Sequence, residues 1–355
     1  MFIRILFFIF PLFILASCTK PDIEIETFSC GDGKGNDTVK WDIFPLLEGT
    51  VKISSYENPD YPEFTKFEKE VNISDGKTVI PSSGKRNVRK YYYLTFNDMY
   101  STMVSNRFII VDSIMNLRDL GGYKTGQKQA VKWGKLYRSG RLSLYEEGRE
   151  HFNSLRVRTV IDLRTEEECL RRPDKNINAT IIHLPVAACD LSKVLGSLKK
   201  GEFKRGDAFI FMQDGYCDMA ANYNRQFARM FEILTDSLNY PALIHCTTGR
   251  DRAGFASALI LSALGIPEDQ IMDDYLLTYS VPDIRSEGKY AYDLSPEGQE
   301  AVTALLSSNK QFLETAFAYI KKQYGSMDNY LEQALQLDDK KRNRLKQLLL
   351  YYSPN

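Results

Sequence analysis

The chain has 355 residues, which is enough for two domains that each bury a hydrophobic core. Its composition is that of an ordinary globular protein, with 43% hydrophobic and 26% charged residues. The 46 basic and 46 acidic side chains give a formal net charge of zero. Because nucleic-acid-binding proteins usually carry a basic excess or a basic patch, this balance predicts no nucleic-acid partner.

The first 18 residues predict a signal peptide. A positive charge at Arg4 precedes an apolar run that is short for a membrane span and ends in small residues. The segment Leu15–Cys18 (LASC) resembles a bacterial lipobox, which implies that Cys18 carries a lipid and becomes the new N-terminus. An uncleaved N-terminal anchor is the alternative. Either interpretation places the rest of the chain outside the cytoplasm, attached to a membrane of the bacterial cell envelope.

The remaining cysteines do not form a recognisable framework. They are irregularly spaced and odd in number, so we predict neither a dense disulfide scaffold nor paired metal ligands. With only three histidines, the sequence predicts no metal site and no cofactor. We interpret three of these thiols as small buried hydrophobic groups, with a redox partner for Cys246 as the alternative. These three are Cys169, Cys189 and Cys217.

Residues 22–112 predict a small all-β domain. Seven short β-prone segments are separated by clusters of Gly, Asn, Asp, Pro and Ser, a pattern typical of a β-sandwich. The region resembles a fibronectin type III or similar immunoglobulin-like module, and we expect it to be a spacer or docking module. The predicted strands are Ile23–Phe28, Val39–Phe44, Thr50–Ser54, Thr65–Ile73, Lys77–Ile80, Tyr91–Phe96 and Arg107–Val111.

Residues 113–355 predict an α/β domain in which helices pack around a central sheet. The predicted strands are Arg158–Leu163, Ile181–Val186 and Pro241–His245. The predicted helices include one that starts from a capping box at Ser143, one over Met219–Leu238, and one over Ala253–Leu264 that Gly265 closes. Further along, Ser295 and Ser326 occupy expected N-cap positions, and Gly325 an expected C-cap position.

The segment Pro241–Gly254 (PALIHCTTGRDRAG) has the layout that a phosphate ester requires. A hydrophobic strand ends at Cys246, a short polar loop follows, and a buried helix begins. Backbone N–H groups at a helix N-terminus bind phosphate oxygens, and the planar fork of Arg252 matches two of them. The helix dipole, Arg250 and Arg252 favour a thiolate at Cys246. The predicted phosphate-binding residues are Thr247, Thr248, Gly249, Arg250, Ala253 and Gly254.

Four ordered motifs give this segment a family resemblance. The loop HCTTGRDRAG resembles the signature Cys-x-x-Gly-Lys-Asp-Arg of bacterial cysteine-dependent tyrosine and phosphoinositide phosphatases. Asn116–Gly122 (NLRDLGG) is similar to the upstream motif Asn-x-Arg-Asp-Leu-Gly-Gly of that family. Tyr137–Ser139 and Val160–Arg164 also match, and the resemblance covers about residues 113–280. A Cys-x5-Arg spacing alone would be weak evidence, whereas four motifs in order argue against coincidence.

The resemblance implies that Cys246 attacks phosphorus and forms a phosphocysteine, while Arg252 holds the equatorial oxygens. Asp251 matches the aspartate proposed as the general acid in that family. A proton donor is needed because an alkoxide or phenolate is a poor leaving group. Asp162 is the rival candidate, since it ends a predicted strand and active sites collect at such ends.

Four other charged residues and a histidine have two interpretations each. Asp162 and Arg164 either take part in the chemistry or, as we prefer, form a structural ion pair under the loop. Arg118 and Asp119 either contact substrate or brace the domain. His245 is either a core residue or, by the resemblance, a group that helps to keep the nucleophile ionised.

These residues predict a phosphatase that acts on a phosphorylated protein or lipid, with phosphotyrosine, phosphoinositides and other phosphomonoesters as substrate classes. The alternatives are a phosphate-binding pseudophosphatase that serves as a cell-surface binding module and a sulfurtransferase of rhodanese type. The sequence identifies neither the natural substrate nor the oligomeric state.

The loop departs from the family pattern at two positions. Arg250 replaces a lysine, which conserves the charge. Ala253 replaces a threonine or serine whose hydroxyl donates to the cysteine sulfur and helps it to leave the phosphoenzyme. The departure predicts slow turnover, unless Thr247 or Thr248 supplies the missing hydroxyl.

Overall fold

The computed structural model describes residues 23–58, 66–81, 88–111, 113–280 and 291–353. The predicted signal peptide, residues 1–18, and the predicted lipid attachment at Cys18 lie outside these ranges. No helix within the described ranges is long and apolar enough to cross a bilayer.

The N-terminal part of the described chain consists of two antiparallel sheets around one core. One sheet has the order β1-β2-β5, and the other has the order β4-β3-β6-β7. Alternation of side chains builds this core: in β2, Val39, Trp41 and Ile43 are buried, while Lys40 and Asp42 are exposed. The strands are β1 (Glu24–Gly31), β2 (Asp37–Phe44), β3 (Thr50–Tyr56), β4 (Lys66–Asn72), β5 (Lys77–Ile80), β6 (Tyr91–Phe96) and β7 (Tyr100–Ser105).

The prediction for the last of these strands was wrong. The strand that completes the second sheet is Tyr100–Ser105, whereas Arg107–Val111 forms only isolated bridges, from Phe108 and Val111. A tight turn causes the difference, because Asn97 and Asp98 both adopt positive φ and reverse the chain directly after β6. Strand β7 therefore begins earlier than the apolar pattern suggested.

The second part of the described chain is an α/β layer structure, as predicted. Its five-stranded sheet has the order β12-β11-β13-β10-β8, in which β10 to β13 pair in parallel and β8 is an antiparallel edge. A separate pair joins β9 to β14. The strands are β8 (Arg118–Asp119), β9 (Gln129–Val131), β10 (Leu136–Ser139), β11 (Thr159–Asp162), β12 (Thr180–His183), β13 (Ala242–His245) and β14 (Leu350–Tyr352).

Helices cover the sheet, and most of the predicted caps are confirmed. Ser295 and Ser326 accept hydrogen bonds at N-caps, and Gly265 and Gly325 stand at C-caps. The helices are α1 (Glu146–Ser154), α2 (Glu166–Arg171), α3 (Leu195–Lys199), α4 (Arg205–Asn222), α5 (Asn224–Leu234), α6 (Asp251–Leu264), α7 (Glu268–Leu276), α8 (Pro296–Leu306), α9 (Lys310–Tyr324), α10 (Met327–Gln333) and α11 (Asp339–Leu349).

Two helix predictions were wrong. The helix predicted over Met219–Leu238 is divided at Tyr223, which leaves the helical conformation between α4 and α5. The capping box predicted at Ser143 is not formed: α1 begins after Tyr145 without a side-chain cap. Ser143 instead forms a backbone bridge with Lys175, so its geometry is that of an extended segment.

The register of the parallel strands gathers the predicted motifs at one edge of the sheet. His245 at the end of β13 lies opposite Ser139 of β10 on one side and opposite Asp162 of β11 on the other. The residues that follow these three positions therefore meet beyond the carboxyl ends of the strands, where ligands bind in open α/β sheets.

The β-sandwich contacts the α/β part directly. Arg89, which precedes β6, forms a buried ion pair with Asp119 at 2.8 Å. Trp133 packs into the core of the sandwich, and its Nε1 donates to the carbonyl oxygen of Met103 at 3.2 Å.

Candidate active site

Cys246 lies at the floor of a cavity of about 210 Å³, and only 2% of this residue is exposed. It follows β13 directly, and the loop after it leads into α6. A helix N-terminus presents unpaired N–H groups and a positive dipole end, so the loop is placed where an anion binds. The loop residues that line the cavity, besides Cys246, are Thr247, Thr248, Arg250, Asp251 and Arg252.

Three of the predicted phosphate-binding residues do not line the cavity. Among the described residues that line the cavity, Gly249, Ala253 and Gly254 are absent, and all three are buried. Gly249 has a φ of +70°, and a Cβ there would lie 2.4 Å from the carbonyl carbon of Ser139. Only glycine fits this turn.

Two side chains below the loop hold its carbonyl groups. The amide nitrogen of Asn116 donates to the carbonyl oxygen of Gly249 at 2.8 Å. Arg138 donates to the carbonyl oxygens of Gly249 at 2.8 Å and Arg250 at 3.0 Å. Because neither donor lines the cavity, these carbonyl oxygens are drawn away from the position of an anion.

A buried carboxylate, Asp274 on α7, holds the two arginines of this brace. Its oxygens lie 3.1 Å from Nε of Arg118 and 2.7 Å from a terminal nitrogen of Arg138. Burial opposes ionisation of Asp274, but Arg118 and Arg138 hold its pKa well below the usual range. Burial and the neighbouring Arg138 lower the pKa of Arg118 to about 10. Sequence reasoning missed Asp274, since no motif marks it.

Two of the predicted site residues, Arg118 and Asp119, are adjacent in β8. Arg118 and Asp119 are fully buried and are not among the residues that line the cavity, and their role as braces stays a prediction. Asp119 accepts hydrogen bonds from the backbone N–H groups of Gly121 and Gly134, both at 2.7 Å, in addition to its pair with Arg89.

Asp274→Asn is expected to destabilise the α/β part by about 3–5 kcal/mol, because it leaves Arg118 and Arg138 buried without their carboxylate. The measurement is the free energy of unfolding from urea denaturation. Asp273→Asn, which changes the exposed neighbour on the same helix, is the matched control and should be nearly neutral. Equal stability of the two variants would contradict a network centred on Asp274.

The fork of Arg252 is paired with Glu168, which sequence reasoning missed. The two terminal nitrogens of Arg252 lie 2.6 and 2.7 Å from the two oxygens of Glu168. Thr247 donates its hydroxyl hydrogen to the same carboxylate and accepts from Arg252 at 3.1 Å. Burial opposes ionisation of Glu168, but the hydrogen bonds from Arg252 lower its pKa to about 2. These contacts fix Arg252 through its terminal nitrogens.

The two candidate acids occupy different positions. Asp251 lines the cavity, accepts a hydrogen bond from Tyr216 at 3.0 Å, and is chelated by Arg250 at 2.8–3.0 Å. Asp162 is fully buried and does not line the cavity. Burial opposes its ionisation, but hydrogen bonds from Arg164 lower its pKa to about 2. Asp162 and Arg164 form a buried ion pair at 2.8 Å, and Arg164 also lines the cavity, so the structural interpretation of the pair stays a prediction.

The charge of Arg250 is compensated inside the protein. Besides chelating Asp251, this guanidinium donates to the carbonyl oxygen of Leu305 on α8 at 2.6 Å. Its residue is only 1% exposed, although it contributes to the cavity wall. Arg250 therefore orients Asp251, and the two side chains form a charge-balanced pair in the cavity wall.

Comparison with known proteins identifies the family of this chain. The model of the tyrosine phosphatase family matches residues 109–351. The chain belongs to the tyrosine phosphatase family. It is therefore a phosphoester hydrolase, and the family implies phosphorylated substrates.

Two bacterial proteins are similar in sequence to this phosphatase. A candidate tyrosine-protein phosphatase of Cupriavidus necator is 31% identical over 234 residues, which cover 64% of this chain and 84% of that protein. The triple specificity protein phosphatase PtpB of Mycobacterium tuberculosis is 29% identical over 255 residues, which cover 62% of this chain and 91% of PtpB. Among solved structures, the catalytic core of the PP-IP phosphatase Siw14 of S. cerevisiae aligns at 16% identity and a TM-score of 0.27, covering 59% of this chain and 98% of that chain.

His245 contacts the start of the loop that follows β13. Its Nδ1 faces the carbonyl oxygen of Cys246 at 3.4 Å, and its Nε2 lies 3.3 Å from Asp174 and 3.4 Å from Asp162. The ring is fully buried. Within the described residues it contacts the cysteine backbone and not the sulfur, so it positions the start of the loop.

The position of Ala253 leaves the cysteine sulfur without a hydroxyl donor. Among the described residues no side-chain hydroxyl donates to Sγ of Cys246, and Thr247, one of the two predicted substitutes, donates to Glu168. Ala253 itself is fully buried at the start of α6. The departure from the family pattern is therefore not compensated by Thr247.

A second thiol, Cys189, contributes to the wall of the same cavity. Burial, together with Asp251, raises its pKa well above the usual range, so this thiol stays protonated. The five cysteines in the described ranges are all free.

Proposed function

We propose that this phosphatase hydrolyses phosphotyrosine, and phosphoinositides or other phosphomonoesters as well, through a phosphocysteine intermediate. The observation that carries the proposal is the placement of Cys246 at the floor of a cavity at the N-terminus of α6, with Asp251 and Arg252 in the wall. A thiolate, an anion cradle and a proton donor then converge on one phosphate group.

In the proposed first step the thiolate of Cys246 attacks phosphorus, and the bond from phosphorus to the leaving oxygen breaks. Asp251 gives its proton to that oxygen, so the product leaves as an alcohol or phenol. Loop amides and Arg252 stabilise the charge on the three equatorial oxygens. In the second step water attacks the phosphocysteine, Asp251 takes a proton from the water, and the thiolate is released with phosphate.

The positive side chains in the cavity wall favour binding of substrates that carry more negative charge than one phosphate. Besides Arg250 and Arg252, the cavity is lined by four further arginines, which we call the arginine rim: Arg141, Arg164, Arg171 and Arg172. Positive groups around a cleft raise the local concentration of anionic ligands. PtpB is named for triple specificity, and this arginine rim supports a range that includes phosphorylated lipids as well as phosphoproteins.

The second candidate is a phosphate-binding pseudophosphatase that serves as a cell-surface binding module. The absence of a hydroxyl donor to Cys246 among the described residues favours it, because release of the cysteine from phosphate then lacks assistance. Retention of Cys246, Asp251 and Arg252 favours the enzyme, since a binding module needs no nucleophile. Measured turnover separates the two.

The purified protein is expected to hydrolyse p-nitrophenyl phosphate and a phosphotyrosine peptide at the same rate with and without EDTA, because the cysteine supplies the nucleophile. The measurement is the initial rate after dialysis against the chelator, with a short-chain phosphoinositide as a third substrate. Loss of activity in EDTA that a divalent ion restores would contradict the mechanism. Phosphate binding without turnover would support the pseudophosphatase.

The proposal includes a lipid anchor at Cys18 that holds the enzyme on a membrane of the bacterial cell envelope. The motif Leu15–Cys18 supports it. The β-sandwich would then be a spacer between the membrane and the catalytic part. Its strand orders β1-β2-β5 and β4-β3-β6-β7 support a fibronectin type III-like module.

Expressed in a bacterium that processes lipoproteins, the wild type is expected to partition into the detergent phase of a Triton X-114 separation. Cys18→Ala should remain unprocessed, because the attachment residue is missing. Mass spectrometry of the N-terminus is the second readout. A wild type that stays in the aqueous phase with residues 1–18 intact would refute the anchor.

A further inference from the structure

Three side chains with different ligand atoms meet between β11, α2 and β12. Oδ2 of Asp162 lies 3.3 Å from Sγ of Cys169 and 3.3 Å from Nδ1 of His183, and the last two atoms are 4.0 Å apart. The residues come from three elements, β11, α2 and β12. None of the predicted catalytic roles uses Cys169 or His183.

We propose that Asp162, Cys169 and His183 form a binding site for a thiophilic divalent cation of the Zn²⁺ class. Tetrahedral zinc binds sulfur at about 2.3 Å, imidazole nitrogen at 2.0–2.1 Å and carboxylate oxygen at 2.0–2.2 Å, which puts the ligand atoms about 3.4–3.6 Å apart. The three separations found here differ from these values by at most about 0.4 Å. A water molecule completes the tetrahedron.

The same three residues do not suit a nucleophilic Cys-His-Asp triad. In a triad the histidine uses one ring nitrogen for the nucleophile and the other for the carboxylate. Here Nδ1 of His183 faces both the thiol of Cys169 and the carboxylate of Asp162. Three ligand atoms that converge on one point are the arrangement of a chelate.

Arg164 does not block this site, although it pairs with Asp162. Its Nε and its backbone N–H bind the other carboxylate oxygen, Oδ1, at 2.9 and 3.0 Å. Its terminal nitrogens also reach the carbonyl oxygen of Arg172 at 2.8 Å and Asp174 at 2.7 Å. A cation on Oδ2 therefore displaces two contacts of the guanidinium, one from a terminal nitrogen at 2.8 Å and one from Nε at 3.2 Å, and leaves the contacts to Oδ1, Arg172 and Asp174 in place.

The local charge suits a divalent ion. Asp162, Asp174 and Arg164 sum to one negative charge, and Cys169 adds another when it binds metal as a thiolate. In the metal-free arrangement Cys169 donates its S–H hydrogen to Asp162, so binding releases that proton to solvent. The side chain of His183 is 57% exposed, which gives an ion a path from solvent to the buried carboxylate.

A second group of possible ligands, Asp162, Asp174 and His245, is closed to solvent. Each of the three side chains is at most 4% exposed, and Arg164 already contacts both carboxylates. The group that contains Cys169 has both a thiol ligand and a side chain exposed to solvent, so we assign the cation site to it.

The test is a Co²⁺ titration of the full-length protein in detergent, in a Cys246→Ser background that removes the catalytic thiolate as a ligand. Co²⁺ reports a bound thiolate through a ligand-to-metal charge-transfer band. Zn²⁺ should abolish this band, because it displaces Co²⁺ from the site. The expected result is one equivalent of Co²⁺ with this band. Adding Cys169→Ala should remove the band, and adding His183→Gln should weaken binding at least about 10-fold.

Cys217→Ala in the same background is the matched control, because Cys217 is a partly buried thiol on α4 outside the cluster, and it should leave the band unchanged. Since His183 is exposed, His183→Gln is expected to fold normally, and its far-UV spectrum and melting midpoint verify this. A missing band in Cys246→Ser alone, or a band that survives Cys169→Ala, would overturn the site.

Discussion

Cys246→Ser is expected to lower the turnover of p-nitrophenyl phosphate by about 10⁴-fold or more while phosphate still binds, because a serine hydroxyl is not ionised near neutral pH and is a weak nucleophile. The anion cradle does not depend on the thiol: loop amides, the N-terminus of α6 and Arg252 all remain. Steady-state rates and calorimetric titration with phosphate measure the two quantities separately.

Cys217→Ser is the control for this substitution, since it makes the same chemical change in a partly buried residue on α4. It should retain wild-type activity. Near-normal hydrolysis by Cys246→Ser would mean that the nucleophile has been misassigned. Arg252→Ala, in contrast, should reduce both phosphate binding and rate, because it removes the fork and leaves Glu168 buried without its partner.

The layout of the loop could be predicted from the sequence because it is local. A buried strand, a cysteine, a glycine that turns the chain and a buried helix follow one another within Pro241–Leu264, so short-range rules place the nucleophile at a helix N-terminus. The positive φ of Gly249 and its close approach to Ser139 are the physical reasons for the pattern.

The supports of the loop could not be predicted, because they depend on contacts that are distant in the sequence. Glu168 pairs with Arg252, which is 84 positions away, and Asp274 pairs with Arg118, which is 156 positions away. Glu168 did carry a local signal, since Thr165 and Glu168 form a capping box at the start of α2. That signal predicts a helix end and gives no indication of the arginine.

The wrong predictions for one strand and one helix have local causes. Asn97 and Asp98 accept positive φ and allow a reversal after β6 that the apolar pattern of the flanking strands does not reveal. Tyr223 leaves the helical conformation between Asn222 and Asn224, although neither Pro nor Gly is present there. Short polar side chains that compete for backbone hydrogen bonds are a weaker signal than either of those residues.

Ala253→Thr is expected to raise the steady-state rate about 10- to 100-fold, which corresponds to about 1.4–2.7 kcal/mol of barrier. The reason lies in the second step, where the cysteine must leave the phosphoenzyme as a thiolate. Among the described residues no hydroxyl donates to Cys246 Sγ, and the Thr247 hydroxyl is bound to Glu168. Slow release predicts a rapid burst of product before a slow steady state in the wild type, as covalent intermediates accumulate.

The burst rate of Ala253→Thr should stay close to that of the wild type, because attack on phosphorus precedes the step that the hydroxyl assists. Rapid-quench measurement of the first turnover gives both phases. Ala253→Val is the matched control: it adds nearly the volume of threonine to this fully buried position without a hydroxyl, so any gain that it shares reflects packing. Ala253→Ser supplies the hydroxyl with less bulk and should reproduce part of the gain. A wild type without a burst, together with an unresponsive Ala253→Thr and Ala253→Ser, would mean that Thr248 or a water molecule already assists the thiolate, and that release of the cysteine does not limit the rate.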